Sequence, residues 1–227
     1  MQKTKISWAD MTWNPVTGCL HGCPYCYARK IAERFKGSKA WPQGFEPMIH
    51  NERSADPLKM KKPQTIFVCS MADLFGEWVP GNWIDNIMES CKTAPWHTYV
   101  FLTKNPARYF KLGGDILQRD NFWFGTSETG EYIRNPNTEI IKRLPAKNTF
   151  ISFEPLLGDP GQLDLTGIKQ VIIGAQTNPD KCAGLGAVLK ICEAADRAGA
   201  KVFMKDSLAG RWPDRELRRE LCWSVNK

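Results

Sequence analysis

Short apolar runs and helical stretches alternate along most of this chain. Residues 65–70 (TIFVCS), 97–103 (HTYVFLT), 121–127 (NFWFGTS), 148–155 (NTFISFEP), 169–176 (KQVIIGAQ) and 201–206 (KVFMKD) each read as a strand, and a short first strand fits residues 11–14. Residues 82–94 place Trp83, Ile84, Ile87, Met88 and Cys91 on one helical face, with Asn82 as the cap. Asn105 and Pro106 suit the cap and first position of a helix over 105–112. A short helix fits residues 137–144. Residues 185–199 set Leu185, Val188, Leu189 and Cys192 on one face and stop at Gly199. Residues 214–222 read as a C-terminal helix.

The strands are apolar runs rather than alternating ones, as expected when both faces of a sheet are covered. Strand–helix alternation implies a parallel sheet with helices outside it. A full eightfold barrel takes about 250 residues, and this chain has 227. The expected fold is therefore α/β, an incomplete (β/α)6-type parallel barrel with six or seven strands, in one domain spanning 1–227. Residues 36–63 lack periodicity and hold several Pro and Gly, so they read as an insertion or lid. No apolar run approaches the roughly 18 residues of a membrane span. The N-terminal residues have no apolar core of a secretory signal, which points to the cytoplasm.

That compartment changes how the eight cysteines read. Disulfides are disfavoured in a reducing setting, so clustered cysteines point to metal or redox chemistry. Cys69, Cys91, Cys182, Cys192 and Cys222 are dispersed and read as small buried apolar residues. Cys19, Cys23 and Cys26 are spaced C-x3-C-x2-C. Thiolates select zinc, copper(I) or iron–sulfur clusters. Structural zinc wants four ligands; His21 lies in the loop, though cramped between two cysteines. An iron–sulfur cube held by three cysteines leaves one iron free to take a substrate or cofactor.

The formal net charge is +7 and the pI about 9.0, which invites an anionic partner. Residues 29–62 hold nine basic and four acidic side chains, a local net of +5. Phe35, Trp41 and Phe45 are interleaved among them, as in proteins whose rings stack on bases. A solvated face over core aromatics explains the same pattern.

CLHGCPYC, with an aromatic before its last cysteine, resembles the signature of the radical S-adenosylmethionine (SAM) superfamily. TWNPVTGC, VCSMADLFGEWVP, FLTKNPAR, ISFEPLLG, LDLTGI and VFMK resemble successive blocks of a phage-associated family of three-cysteine proteins related to it. The likeness runs from about residue 5 to 205. Two departures stand out: a shorter loop before Cys23, and IIGAQT, where Ala175 and Gln176 replace a Gly-Gly-Glu-like run. The resemblance implies that Cys19, Cys23 and Cys26 hold a [4Fe–4S] cluster whose fourth iron chelates SAM. An external one-electron reductant would then drive SAM cleavage to a 5′-deoxyadenosyl radical that takes hydrogen from the substrate.

Ligands of parallel α/β folds sit at the carboxyl ends of strands. With the resemblance, that rule assigns Ser70, Met71, Ala72 and Asp73 to the SAM amino group. Thr126, Ser127 and Glu128 fall to the ribose hydroxyls, Tyr25 to the adenine, and Gly174 and Ala175 to the cofactor wall. Lys104, Glu154 and Lys205 become candidates for catalysis or for binding a substrate anion. Asp73 as a helix cap and a Glu154–Lys205 pair are the structural alternatives. The expected partner is DNA or a nucleotide, with a flipped base stacked on Trp41 or Phe45. A phage base hypermodification or rearrangement, on thymine for instance, would fit, carried out by a monomer in the host cytoplasm. Other readings are a radical SAM enzyme on a free nucleoside, amino acid or peptide, and a zinc-binding nucleic-acid module.

Overall fold

The computed structural model describes residues 1–131, 135–177, 179–212 and 216–226. Its strands are β1 (Gln2–Lys3), β2 (Met11–Trp13), β3 (Val16–Thr17), β4 (Met48–Ile49), β5 (Thr65–Val68), β6 (Thr98–Thr103), β7 (Phe122–Glu128), β8 (Thr149–Phe153), β9 (Gln170–Ile173), β10 (Gln176–Thr177), β11 (Asp180–Lys181) and β12 (Lys201–Met204). The helices are α1 (Tyr27–Arg34), α2 (Asp56–Lys59), α3 (Gly81–Thr93), α4 (Gly114–Leu117), α5 (Pro136–Lys142) and α6 (Leu185–Ala198).

One eight-stranded sheet runs β1-β2-β5-β6-β7-β8-β9-β12. Seven of its strands are parallel, and only the edge strand β1 pairs antiparallel with β2. The fold is thus a largely parallel α/β partial barrel, one strand richer than the sixfold reading. Strand order follows chain order from β2 onward, as consecutive βα units demand.

The side-chain period of two divides each strand between two cores. Ile66, Val68, Tyr99, Phe101, Phe122, Phe124, Ile151, Phe153, Val171 and Ile173 face the helices. Phe67, Val100, Trp123, Phe150, Ile172 and Phe203 face the hollow, where Trp8 and Trp223 pack on them from the two chain ends. The Trp223 indole N–H donates to the Trp8 carbonyl at 2.8 Å, and its ring lies 4.8 Å from that of Trp123. The hollow is plugged there with aromatic side chains.

Several helices differ from the sequence pattern. The cap of α3 is Pro80, not Asn82, although Ile84, Ile87, Met88 and Cys91 are buried as expected. Residues 106–111 form a 3-10 helix, whose buried Tyr109 hydroxyl donates to the Gly125 carbonyl. In α6 the buried face is Ala187, Val188, Ile191, Cys192, Ala194 and Ala195, while Leu185 is exposed; Gly199 ends the helix at φ 69°.

The expected C-terminal helix begins on residues 214 and 215, which lie outside the described residues. Residues 216–222 are not helical. Met204 donates to the Arg218 carbonyl and Glu220 to the Val202 carbonyl, so this segment zips along β12. An open sheet edge leaves backbone groups unpaired, and satisfying them outweighs a short helix. No helix among the described residues is long and apolar enough to cross a membrane.

The stretch 36–63 carries β4, a 3-10 turn at Asn51–Arg53, and α2. It is pinned to the rest of the chain. β4 pairs with β3, His50 shares a 2.8 Å hydrogen bond with Thr17, and the N-terminal ammonium meets Asp56 at 2.7 Å.

Candidate active site

The carboxyl ends of the parallel strands surround a cavity of about 530 Å³. Ile6, Trp8, Phe67 and Leu102 are its apolar lining, next to the aromatic plug. Cys19, Cys23 and Cys26 line it on another side, together with Tyr25.

The cysteine loop is fixed from several directions. Gly18 sits at φ 87° with its missing Cβ only 2.2 Å from the Glu46 carbonyl oxygen, so no side chain fits before Cys19. Gly18 also donates to Met71 and forms a parallel bridge with Ala72, which carries the β2–β5 pairing past the strand ends. The Arg29 guanidinium donates to the Cys19 carbonyl at 2.9 Å, and the Tyr27 hydroxyl to the Ser70 carbonyl at 2.9 Å. Cys26 is the N-cap of α1, its sulfur accepting from the Arg29 amide at 3.4 Å.

Asp73 anchors the loop to the sheet. Its carboxylate accepts from the Phe75 amide (3.0 Å), the Thr103 hydroxyl (2.7 Å) and the Lys104 amide (2.9 Å), and pairs with His21 Nε2 at 2.7 Å. His21 is further packed edge-on against Trp78. The Nε2 of His21 is therefore spent on Asp73, whose carboxylate lines the cavity while already holding four partners. Beside this network the Lys104 ammonium donates to the Tyr25 hydroxyl at 3.0 Å. Burial holds the Tyr25 phenol above its ordinary pKa, so it stays a neutral acceptor.

Opposite, Lys205 and Glu154 pair across the end of β12 and β8. Gly174 lies beneath them: a Cβ there would meet Lys205 Cδ at 2.9 Å and the Glu154 side chain at 3.4 Å. Gly174 itself does not line the cavity, but Ala175 does.

The strand period explains which nominated residues reach the cavity. Along β7, Trp123 faces the hollow and so does Ser127, four residues on; Thr126 and Glu128 take the other side. Ser127 lines the cavity. The Thr126 hydroxyl instead donates to the Thr103 carbonyl, and Glu128 accepts from the Thr138 amide at 2.9 Å in the first turn of α5. Burial raises the Glu128 pKa against those hydrogen bonds. Neither residue lines the cavity. Ser70 and Ala72 line the cavity; Met71 packs with Ala28, Ala32, Trp41 and Phe45 under α1. Trp41 is likewise buried in that small core and does not line the cavity, so it is no platform for a flipped base; Phe45 is buried but touches the cavity wall.

Four further residues of the wall stand outside the site set expected from the sequence. Tyr27, Lys30 and Ile31 belong to α1. Cys69, buried at the end of β5, holds a left-handed φ of 60°. The sequence marks it only as a buried cysteine after an apolar run, at the start of the VCSMADLFGEWVP block, and burial pushes its thiol up to about 12.

The donor set fits an iron–sulfur cluster. All three thiols are free and partly exposed on one cavity. Burial raises Cys19 to about 11, a thiol that soft-metal coordination would deprotonate. Among the described residues, no three His, Cys, Asp or Glu side chains gather as a single ion would need.

A family model described as "Protein of unknown function (DUF5131)" matches residues 3–220. The chain belongs to that family. No curated protein matches it. A solved structure of spore photoproduct lyase, complexed with dinucleoside spore photoproduct, is similar in fold, with a TM-score of 0.50 and 14% identity. The match covers 86% of this chain but 63% of the lyase, so the DUF5131 chain spans under two thirds of that protein's length.

Proposed function

We propose that this DUF5131 protein is a radical SAM enzyme acting on a nucleic-acid base. The observation that carries the reading is the meeting of three free thiols, on a C-x3-C-x2-C loop, at the strand-end cavity of a partial parallel barrel. Cys19, Cys23 and Cys26 would hold a [4Fe–4S] cluster. When bound, the cluster and SAM supply one-electron sulfonium cleavage and, from it, hydrogen abstraction from a substrate; an external reductant provides the electron.

The chain's own residues provide the setting. Ile6, Trp8, Phe67 and Leu102 give the cavity an apolar lining that keeps water from reactive species. Lys104 and Lys205 present cations to a carboxylate or phosphate. The Glu154 partner of Lys205 is partly exposed and able to exchange that contact for a ligand. Tyr25 and Ser127 offer hydroxyls to a polar edge. The Asp73–His21 tether holds the thiol loop in place before anything binds.

A base substrate is supported by the excess of exposed basic side chains beside the loop and by the dinucleoside bound to the similar lyase. A phage thymine hypermodification or rearrangement is the reaction class we favour. Incubation of reconstituted, reduced protein with SAM and deuterium-labelled DNA tests it. Deuterium in 5′-deoxyadenosine or in SAM is the expected result. Deuterium transfer from labelled free nucleosides, amino acids or peptides but from no DNA would overturn the nucleic-acid reading.

A further inference from the structure

Helix α1 is built inside out. Its buried residues are the small Ala28 and Ala32, one turn apart, set against Trp41, Phe45 and Met71. Its large apolar residues face solvent: Tyr27 is 54% exposed, Ile31 40%, and Phe35 at its C-cap 51%. They stand at i, i+4 and i+8, hence on one ridge about 12 Å long. A fold that leaves three large apolar side chains aligned and about half exposed has a further use for them.

Two observations say what covers the ridge. The first is charge. Lys30 and Arg34 form the neighbouring i, i+4 row, and Lys36 and Lys39 follow, all exposed. The Arg34 guanidinium lies over the Phe35 ring, 5.6 Å from its centroid. The one acid of the helix, Glu33, is drawn back to the Phe45 amide. The second is continuity. Tyr27, Lys30 and Ile31 are also cavity wall, so the ridge leads out of the candidate active site without a break. Rings alternating with cations, at a cavity mouth, match unpaired nucleic acid: bases stack on the rings while phosphates meet the cations. A duplex keeps its bases inside and offers no faces to stack.

Resting on the nucleic-acid reading above, we infer that the Tyr27–Ile31–Phe35 ridge with Lys30 and Arg34 is a track for the single strand flanking the base that enters the cavity. Phe35 stacks the base farthest from the cavity, and Arg34 neutralises its phosphate.

Fluorescence anisotropy of the full chain with a labelled single strand of about 12 nucleotides, and with its duplex, tests the track. The single strand binds more tightly than the duplex. Phe35→Ala weakens single-strand binding about 10-fold. Arg34→Glu weakens it and lowers the salt dependence by about one phosphate contact. Both positions are exposed, so thermal melting of each variant matches the parent and separates lost binding from lost folding. Unchanged affinity in both variants overturns the track while leaving the base reading in place. No binding of any oligonucleotide by the parent, even at low salt, overturns the base reading itself. If Phe35→Ala keeps oligonucleotide affinity but slows reduction by an acidic flavoprotein, the ridge serves an electron donor and the inference is wrong.

Discussion

The hollow side of the sheet has two ends made of different materials. At one end Trp8, Trp123, Phe150 and Trp223 close it with aromatic packing, the two chain ends laid together and tied by Asp10, which accepts from Thr65 and Asn226. At the other end, two to four residues along the same strands, stand Cys69, Lys104, Ser127, Glu154 and Lys205, facing a cavity instead of the aromatic plug. The same inward positions that close one end are polar or small at the other. Stability is concentrated in the plug, and the proposed chemistry in the rim that the plug leaves open. Substitutions should therefore separate into those that cost folding and those that cost function.

The largest effect tests the rim. Cys23→Ala should abolish the brown colour and SAM cleavage while the metal-free chain melts as before, read by visible absorption and calorimetry. A variant that loses its fold instead would place that cysteine in the stability half. In the plug, Trp223→Ala should cost about 3–5 kcal/mol by denaturant titration. A loss under about 1 kcal/mol would mean that the hollow is not sealed by the chain ends. His21→Ala lies between the two regions. It removes one charge-assisted bond from a buried carboxylate that keeps three other donors, so about 1–3 kcal/mol is expected. Iron uptake at limiting iron should fall with it, because the thiol loop is no longer tethered to the sheet. Unchanged iron uptake would free the loop from that tether. The smallest effect is that of Gly174→Ala. The added methyl displaces Lys205 by a few tenths of an ångström, and we expect a several-fold rise in substrate KM with melting shifted by under about 1 kcal/mol.

The parallel strands were legible because each is a run of apolar residues with turn residues around it. The rim was legible only in part. Strand ends are easy to find, but the face a residue takes depends on where the strand stops. β7 runs to Glu128, which sends Thr126 and Glu128 toward the helices and leaves only Ser127 for the cavity. Asp73 stands out in the sequence by its position, yet apart from the neighbouring Phe75 its partners come from two distant stretches, His21 and Thr103–Lys104, which no local pattern encodes. In the sequence Trp41 fits a base-stacking ring and a core aromatic equally, since its neighbours are charged; Ala28 and Ala32 are small enough to bury it. The C-terminal segment had a helical pattern, but its fate was set by the unpaired edge of β12, a tertiary demand.

The central claim is that three thiolates hold a cluster with one iron left for SAM. Anaerobic reconstitution followed by iron, sulfide and zinc analysis, with electron paramagnetic resonance of the reduced protein before and after SAM, tests it most directly. The account predicts about four irons and four sulfides per chain and a signal that changes when SAM is added. One zinc and no iron, or a cluster signal indifferent to SAM, would contradict it.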